Sequence, residues 1–109
     1  MTVKNNIKES NVVLGKNIGR LRRIKNITCM QLGRKINQTE QQIVKYESGS
    51  VLVPLPIVEK IANALDEPIT KKIIRKISTL RKLEVEKKTE MADELIDLYN
   101  QAFPDDILE

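Results

Sequence analysis

Apolar residues recur at helical spacing along most of the 109-residue chain. Leu14, Ile18 and Leu21 are separated by four and three positions, which places them on one face of a helix over 12–25. Further apolar stripes at this spacing lie in 56–65 and in 69–83. No run alternates apolar and polar residues over a useful length, so the pattern predicts an all-α protein.

The stretch 27–49 contains start signals for two short helices. Thr28 precedes Gln31 by three positions, and Thr39 precedes Gln42 by three. This is the spacing of the capping box, in which the two side chains satisfy backbone N–H groups at a helix start. Each pair therefore predicts a helix N-terminus.

A tight turn is expected between these helices, which the pattern predicts over 29–36 and 40–48. Asn37 tolerates the left-handed conformation that ends many helices, and Gly49 suits the end of the second helix. Gly33 is small enough to let the two helices cross closely. The whole stretch is thus predicted to be a helix-turn-helix.

This stretch resembles the helix-turn-helix of the Cro and lambdoid-repressor (XRE-type) family, whose usual form reads LTxxxLAxxxGxSxxxIxxYExG. The matching positions are Ile27, Thr28, Leu32, Gly33, Asn37, Thr39, Ile43, Tyr46, Glu47 and Gly49. The resemblance covers about 14–69, roughly half of the chain. It implies a compact five-helix lambda-repressor-like DNA-binding domain with a helical C-terminal extension. The run QTEQQIVKYESG is also similar to regulators encoded with fimbrial operons.

The resemblance makes the second helix of the motif, 40–48, the recognition helix in the major groove of double-stranded DNA. Ile43 is expected to face the core together with Tyr46 or, in its place, Val44. The outer side then carries the candidates for reading bases, which are Glu40, Gln41, Gln42 and Lys45.

These four side chains differ in how well they suit base recognition. Gln binds adenine through two hydrogen bonds, and Lys donates to guanine. Because Gln42 is expected to serve as a cap, Gln41 and Lys45 are favoured. Glu40 either accepts a hydrogen bond from a cytosine amino group or complements the helix dipole at the first turn.

Basic and hydroxyl side chains near the motif are candidates for phosphate contact. Lys16, Arg20 and Arg23 fall at i, i+4 and i+7 on one face of the first helix, although solvation alone explains such a face equally well. The full set of candidates is Lys16, Arg20, Arg23, Thr28, Arg34, Lys35 and Thr39.

The resemblance also implies a structural ion pair between Arg22 and Glu47, joining the first helix to the recognition helix. Many family members carry Gln where this chain has Cys29, and they use it to reach a phosphate. That contact is expected to be missing here. A nucleophilic role for Cys29 is not expected, because no basic neighbour in sequence would lower its pKa.

Two apolar segments outside the motif are candidates for a surface that binds a second subunit or a partner protein. The loop 50–55 is either an exposed patch of this kind or is covered by the following helix or the extension. In the extension, a basic helix over 69–83 precedes a charged hinge and an acidic helix that Thr89 begins. The acidic helix needs an apolar partner in the same chain, a second copy or another protein. The surface candidates are Leu52, Val53, Ile73, Ile77, Leu80, Met91, Leu95 and Leu98.

Three segments are therefore predicted. Residues 1–11 form a flexible arm, 12–68 the helix-turn-helix DNA-binding domain, and 69–109 a helical extension for dimerisation or partner binding.

Charge is unevenly distributed along the chain. All 19 Lys and Arg residues lie between Lys4 and Lys88 with eight acidic residues, which leaves +11, whereas the last 21 residues hold seven acids and no base. A basic body suits a polyanion such as nucleic acid. Together with the motif, this predicts a sequence-specific, double-stranded-DNA-binding transcriptional regulator, which reads a palindromic operator as a homodimer. Repression is favoured over activation because occupying a promoter needs no polymerase contact.

The alternative is an antitoxin-like or other protein-interaction module that uses the helix-turn-helix as a scaffold and binds a partner through its acidic C-terminal helix. An enzyme is not expected, since the chain has no His, no glycine-rich phosphate loop and no nucleophile with a base. One Cys and no His argue against an internal disulfide and a protein metal site. No cofactor is expected. No apolar signal core or membrane span is present in the sequence, so we expect a cytoplasmic protein with no membrane partner.

Overall fold

The computed structural model describes residues 9–86 and 89–104, with backbone only for 84–86 and 89–92. Within these residues the chain forms six helices and no strand, which confirms the all-α class. The helices are α1 (Glu9–Ile24), α2 (Cys29–Ile36), α3 (Glu40–Ser48), α4 (Leu55–Ala64), α5 (Lys71–Glu86) and α6 (Thr89–Ala102).

The predicted helix boundaries agree with the structure in the motif and differ at the first helix and at the charged hinge predicted over 84–88, of which 84–86 belong to α5. α2 and α3 begin and end where the caps place them. α1 begins at Glu9 instead of Val12, and Ser10 is buried. Residues 9–11 therefore belong to the folded body and not to the predicted arm, whose residues 1–8 lie outside the described part.

One apolar core joins the two ends of the chain. Leu14 and Ile18 of α1 belong to the same buried cluster as Leu95, Tyr99 and Phe103 near the C-terminus. α6 packs against both α1 and α5, while α2 packs against α3 and α4. The extension thus covers α1 within the same chain, and its buried apolar face supplies the aliphatic and aromatic bulk that a chain of this length needs for a core.

Arg81 of α5 connects the extension to the loop after α3. Its Nε donates to the hydroxyl of Tyr99 at 2.8 Å, and Nη1 donates to the carbonyl of Val53 at 2.8 Å. The guanidinium also lies 5.8 Å from the centre of the Tyr99 ring, within the range of a cation–π contact. The fork of one arginine therefore holds α5, α6 and the α3–α4 loop together.

Candidate nucleic-acid interface

The start of α2 is closed by a complete capping box. Thr28 Oγ1 accepts a hydrogen bond from the backbone N–H of Gln31 at 3.0 Å, and Gln31 Oε1 accepts from the N–H of Thr28 at 2.9 Å. Both residues are exposed. Because the Thr28 hydroxyl acts here as an acceptor, its own O–H group can still donate to a bound anion.

The turn between α2 and α3 is tightly packed. Asn37 has the predicted left-handed conformation, with φ 62° and ψ 42°, and Gln38 N–H donates to the carbonyl of Gly33 at 2.8 Å. A Cβ atom at Gly33 would lie 2.6 Å from the Gln38 carbonyl oxygen. Because Gly33 has no side chain, the turn can pack closely against α2. This close packing sets the direction in which α3 begins.

α3 has a buried side and a solvent-facing side. Ile43 and Tyr46 are buried, at 0% and 4% exposure, whereas Val44 is 52% exposed. Of the two alternatives for the inward position, Tyr46 is therefore correct and Val44 is not. Glu40, Gln41 and Lys45 are exposed beside Val44, and Gln42 is partly buried.

The cap of α3 is one-sided. Thr39 Oγ1 accepts from the Gln42 N–H at 3.0 Å, but within the described residues the Gln42 side chain does not return a hydrogen bond to Thr39. The expectation that capping occupies Gln42 is therefore wrong. The side-chain amide of Gln42, which is partly buried, can therefore still bind a ligand. Thr39, like Thr28, keeps a hydroxyl donor at a helix start.

α1 is joined to α3 by the ion pair between Arg22 and Glu47. Arg22 Nε donates to Glu47 Oε2 at 2.6 Å and Nη2 donates to Oε1 at 3.0 Å, in a two-point contact. Arg22 Nη1 also donates to the carbonyl of Ile27 at 2.9 Å. The pair is mostly buried, with 12% and 14% of the two side chains exposed. It therefore holds α3, α1 and the entry to α2 in one arrangement.

Cys29 lies beside this ion pair. Its Sγ is 3.8 Å from Glu47 Oε2. Burial raises the pKa of the Cys29 thiol, the Glu47 carboxylate raises it further, and Arg22 acts in the opposite direction. A neutral thiol is a poor nucleophile, so the surroundings of Cys29 favour a packing role.

The three basic residues predicted on one face of α1 line a common cleft. Lys16, Arg20 and Arg23 surround a space of about 380 Å³ that Glu47 also lines. Gly15 and Gly19 form part of its wall, and both approach α3: a Cβ on Gly15 would meet the carbonyl oxygens of Tyr46 and Glu47, the second at 2.5 Å. The sequence signal for this contact is the spacing of four between two glycines in one helix, and neither glycine was among the predicted site residues.

Arg20 is held within this cleft by a buried asparagine that the sequence analysis also missed. Arg20 Nη1 donates to Asn17 Oδ1 at 3.0 Å, and Asn17 Nδ2 donates to Asn100 Oδ1 of α6 at 2.7 Å. Asn17 is only 5% exposed. A polar residue between Leu14, Ile18 and Leu21 was the available signal, because a buried amide requires hydrogen-bond partners.

The two remaining basic candidates lie on α2. Arg34 and Lys35 are both exposed. Lys35 lines a separate cleft of about 600 Å³ with Asn37, Lys60 and Asp66, on the side of α2 that meets α4. The structure therefore groups Lys16, Arg20 and Arg23, and it does not bring Lys35 to them.

Half of the predicted subunit or partner surface is buried in the monomer. Val53, Ile77 and Leu95 are at most 2% exposed, so their assignment to such a surface is wrong: the extension packs back onto the rest of the same chain. Leu98 is 7% exposed and lines a groove between α5 and α6. Leu52 is 53% exposed. Ile73 and Leu80 are partly buried against the core, and the Met91 side chain lies outside the described part.

Comparisons with models of protein families, with curated proteins and with solved structures find nothing that matches this chain. In the part of the chain that the structure describes, no helix has the length and apolar character needed to cross a membrane. Membership of the Cro and lambdoid-repressor family, indicated by the residues of 27–49, is therefore a proposal.

Proposed function

We propose that this chain is a sequence-specific regulator of the Cro and lambdoid-repressor type, which binds double-stranded DNA and represses by occupying a promoter. In this proposal α1–α5 correspond to the five helices of a lambda-repressor-like fold, and the fifth of them, α5, forms the extension together with α6. DNA as the ligand implies a cytoplasmic location.

The observation that carries the proposal is the outer side of α3. Glu40, Gln41 and Lys45 are exposed there beside Val44, while the opposite side of the same helix is buried. A helix with its side chains is about 10–12 Å in diameter, and the major groove is about 12 Å wide. The exposed side therefore suits insertion into the groove, with the N-terminal residues nearest the bases.

Each exposed side chain of α3 has a chemical role in this proposal. Gln41 and Gln42 are suited to adenine, and Lys45 to guanine. Val44 adds an apolar contact for a thymine methyl group. Glu40, at the helix start, either accepts from cytosine or complements the helix dipole.

Phosphate contacts come from residues around α3. Lys16, Arg20 and Arg23 line one cleft beside the C-terminal half of α3, where they suit the backbone on one side of the groove. The hydroxyl groups of Thr28 and Thr39 donate hydrogen bonds to phosphate oxygens, and Arg34 adds a positive charge from α2. Lys35 faces the α4 side and contributes least. These contacts supply salt-dependent affinity without sequence preference.

Selection from a randomised duplex library at two salt concentrations tests the proposal. Recovery of one roughly palindromic sequence, bound by two chains, is the expected result. Weak binding that ignores sequence and fades with salt would overturn it. For any variant that removes a positive charge from the proposed phosphate contacts, the control is Lys60→Ala. Lys60 is an exposed α4 residue that lines the other cleft.

The exposed acids of α6 favour one other candidate, an antitoxin-like module that binds a partner protein. Asp93, Glu94 and Asp97 are all exposed, and the apolar Leu52 is exposed in the α3–α4 loop. A module that binds only a partner protein would recover no preferred operator in the selection, whereas an antitoxin that also binds DNA would recover one. Loss of partner binding in Glu94→Lys, with DNA binding retained, would favour this candidate.

A further inference from the structure

A groove runs between α5 and α6 on the surface of the extension. It has a volume of about 330 Å³ and is lined by Lys76, Thr79 and Leu80 of α5 and by Glu94, Asp97, Leu98 and Gln101 of α6. The two helices are separated by residues 87–88 alone and pack against each other, as in an antiparallel hairpin. The α5–α6 groove is thus a feature of the extension and lies apart from α3.

Its floor is apolar. Leu80 is partly buried and Leu98 is 7% exposed. Leu83, which follows Leu80 by three positions and therefore lies on the same side of α5, is 38% exposed. The face of α6 that carries Leu95 and Tyr99 is already buried in the monomer, so a ligand of this groove needs no exchange of helices between chains.

The two walls carry opposite charges. α5 exposes only basic charges among its described side chains, and α6 exposes only acidic ones. The exposed residues are Lys71, Lys72, Arg75, Lys76 and Lys82 on α5 and Asp93, Glu94 and Asp97 on α6. Among the described side chains no ion pair within 4 Å joins these sets. Of these residues, Lys76, Glu94 and Asp97 line the groove itself, so each of its walls offers charge to an external partner.

We propose that the partner is a second copy of this chain, whose own α5–α6 hairpin packs on the groove in a twofold dimer. A twofold axis parallel to the helices places the basic α5 of one protomer over the acidic α6 of its partner, twice. An axis across the helices would instead place α5 over α5 and α6 over α6, with like charges opposed. Charge complementarity thus selects the first arrangement, a four-helix bundle with the leucines inside.

The proposed dimer is a separate proposal from DNA binding. It rests on the proposed function only in the consequence that dimerisation brings two recognition helices together. The mass of the full chain, measured by sedimentation equilibrium without DNA, tests it separately. We expect twice the monomer mass of 12.5 kDa, with weaker association at higher salt because exposed charges are screened. A chain that stays monomeric would overturn the proposal, whatever the DNA selection finds.

Two charge-reversed variants test the arrangement. Glu94→Lys/Asp97→Lys replaces the two acidic residues that line the groove by basic ones, and Lys72→Glu/Lys76→Glu places two acidic residues on α5, one of them in the groove. Each alone should raise the dimer Kd roughly tenfold or more, since like charges then face each other. An equal mixture of the two should recover tight association, because each α5–α6 contact between the two different chains is again between opposite charges.

Lys60→Glu, a reversal on α4 outside the groove, is the matched control and should leave the dimer unchanged. Circular dichroism establishes that each variant keeps its helices, which is expected because all the substituted side chains are exposed. A dimer unaffected by the groove variants, or a mixture that fails to associate, would overturn the proposed interface.

Discussion

Asn17 of α1 donates a hydrogen bond of 2.7 Å to Asn100 of α6, across 83 positions of the sequence. The same Asn17 side chain accepts a hydrogen bond from Arg20. One buried amide therefore ties the extension to a basic residue of the proposed phosphate cleft.

Replacing this amide tests how much the connection contributes. Asn17→Ala should lower the free energy of unfolding by about 1–2 kcal/mol, because a partly buried hydrogen bond and its packing are lost. Urea unfolding followed by circular dichroism measures the change. Asn63→Ala, the same substitution at an exposed position of α4, is the control. Equal stability of the two variants would contradict a structural role for the bond.

The ion pair of Arg22 and Glu47 should be more costly to break than a surface pair. Arg22→Met leaves a mostly buried carboxylate unpaired and should cost about 3–5 kcal/mol. Lys25→Met, which breaks the more exposed pair with Glu67 at 3.8 Å, should cost less than about 1 kcal/mol. Chemical denaturation of both variants gives the comparison. A similar small loss in each would mean that the Arg22 pair does not hold α1 to α3.

The double variant Arg22→Met/Glu47→Leu extends this test. Its loss of stability should be smaller than the sum of the single losses, because neither charge is then left buried alone.

Gly15 and Gly19 should respond differently to alanine. A Cβ at Gly15 would press on backbone carbonyls of α3, whereas at Gly19 the nearest atom is Glu47 Oε1, at 2.9 Å, on the end of a side chain. Alanine normally stabilises a helix by up to about 1 kcal/mol relative to glycine. We expect Gly15→Ala to destabilise by about 1–3 kcal/mol through overpacking, and Gly19→Ala to destabilise less. Thermal unfolding of both variants ranks them, and the reverse order would contradict this account of the α1–α3 contact.

Cys29 should react slowly at neutral pH. The pKa of its thiol is raised in the folded state, so the folded protein keeps the thiol proton to a higher pH than the unfolded chain does. The rate of iodoacetamide modification should therefore rise at higher pH for the folded protein than for the same protein in urea. Coincident pH profiles would contradict the raised pKa.

The same shift predicts a loss of stability in alkali. The stabilising contribution of the neutral thiol is complete below the pKa of the unfolded chain, about 8.5, and it is lost as the pH rises through the folded-state pKa. Cys29→Ser should reduce this alkaline decline in the free energy of unfolding. Measurement across that pH range, with the wild type in parallel, gives the difference.

Lys45 and Lys16 should affect DNA binding in different ways. Lys45→Ala should cost about 1–3 kcal/mol at one base pair of the selected operator and relax specificity there. Lys16→Ala should weaken binding to all sequences and reduce the salt slope by about one. Titration of the operator and of single-base variants at several salt concentrations separates the effects. If Lys45→Ala weakened every sequence equally, direct reading by this residue would be wrong.

Much of the motif was predictable because its signals act over three to five residues. Thr28 with Gln31 closes a helix through hydrogen bonds to the neighbouring backbone, and Asn37 ends one through its own dihedral angles. Such interactions need no distant partner, so the bounds of α2 and α3 follow from the sequence. The ion pair of Arg22 and Glu47 was expected only through the family resemblance.

By itself, then, the sequence determined the helical class, the caps and turn of the motif, and which helix faces are apolar. Only the tertiary structure decided what covers those faces: Leu95 and Leu98 are buried in their own chain, and Val44 is turned to solvent. It also decided that Asn17 lies between α1 and α6. The physical reason is that amphipathic periodicity specifies that a face is buried but not what buries it, because that choice depends on packing among helices distant in sequence.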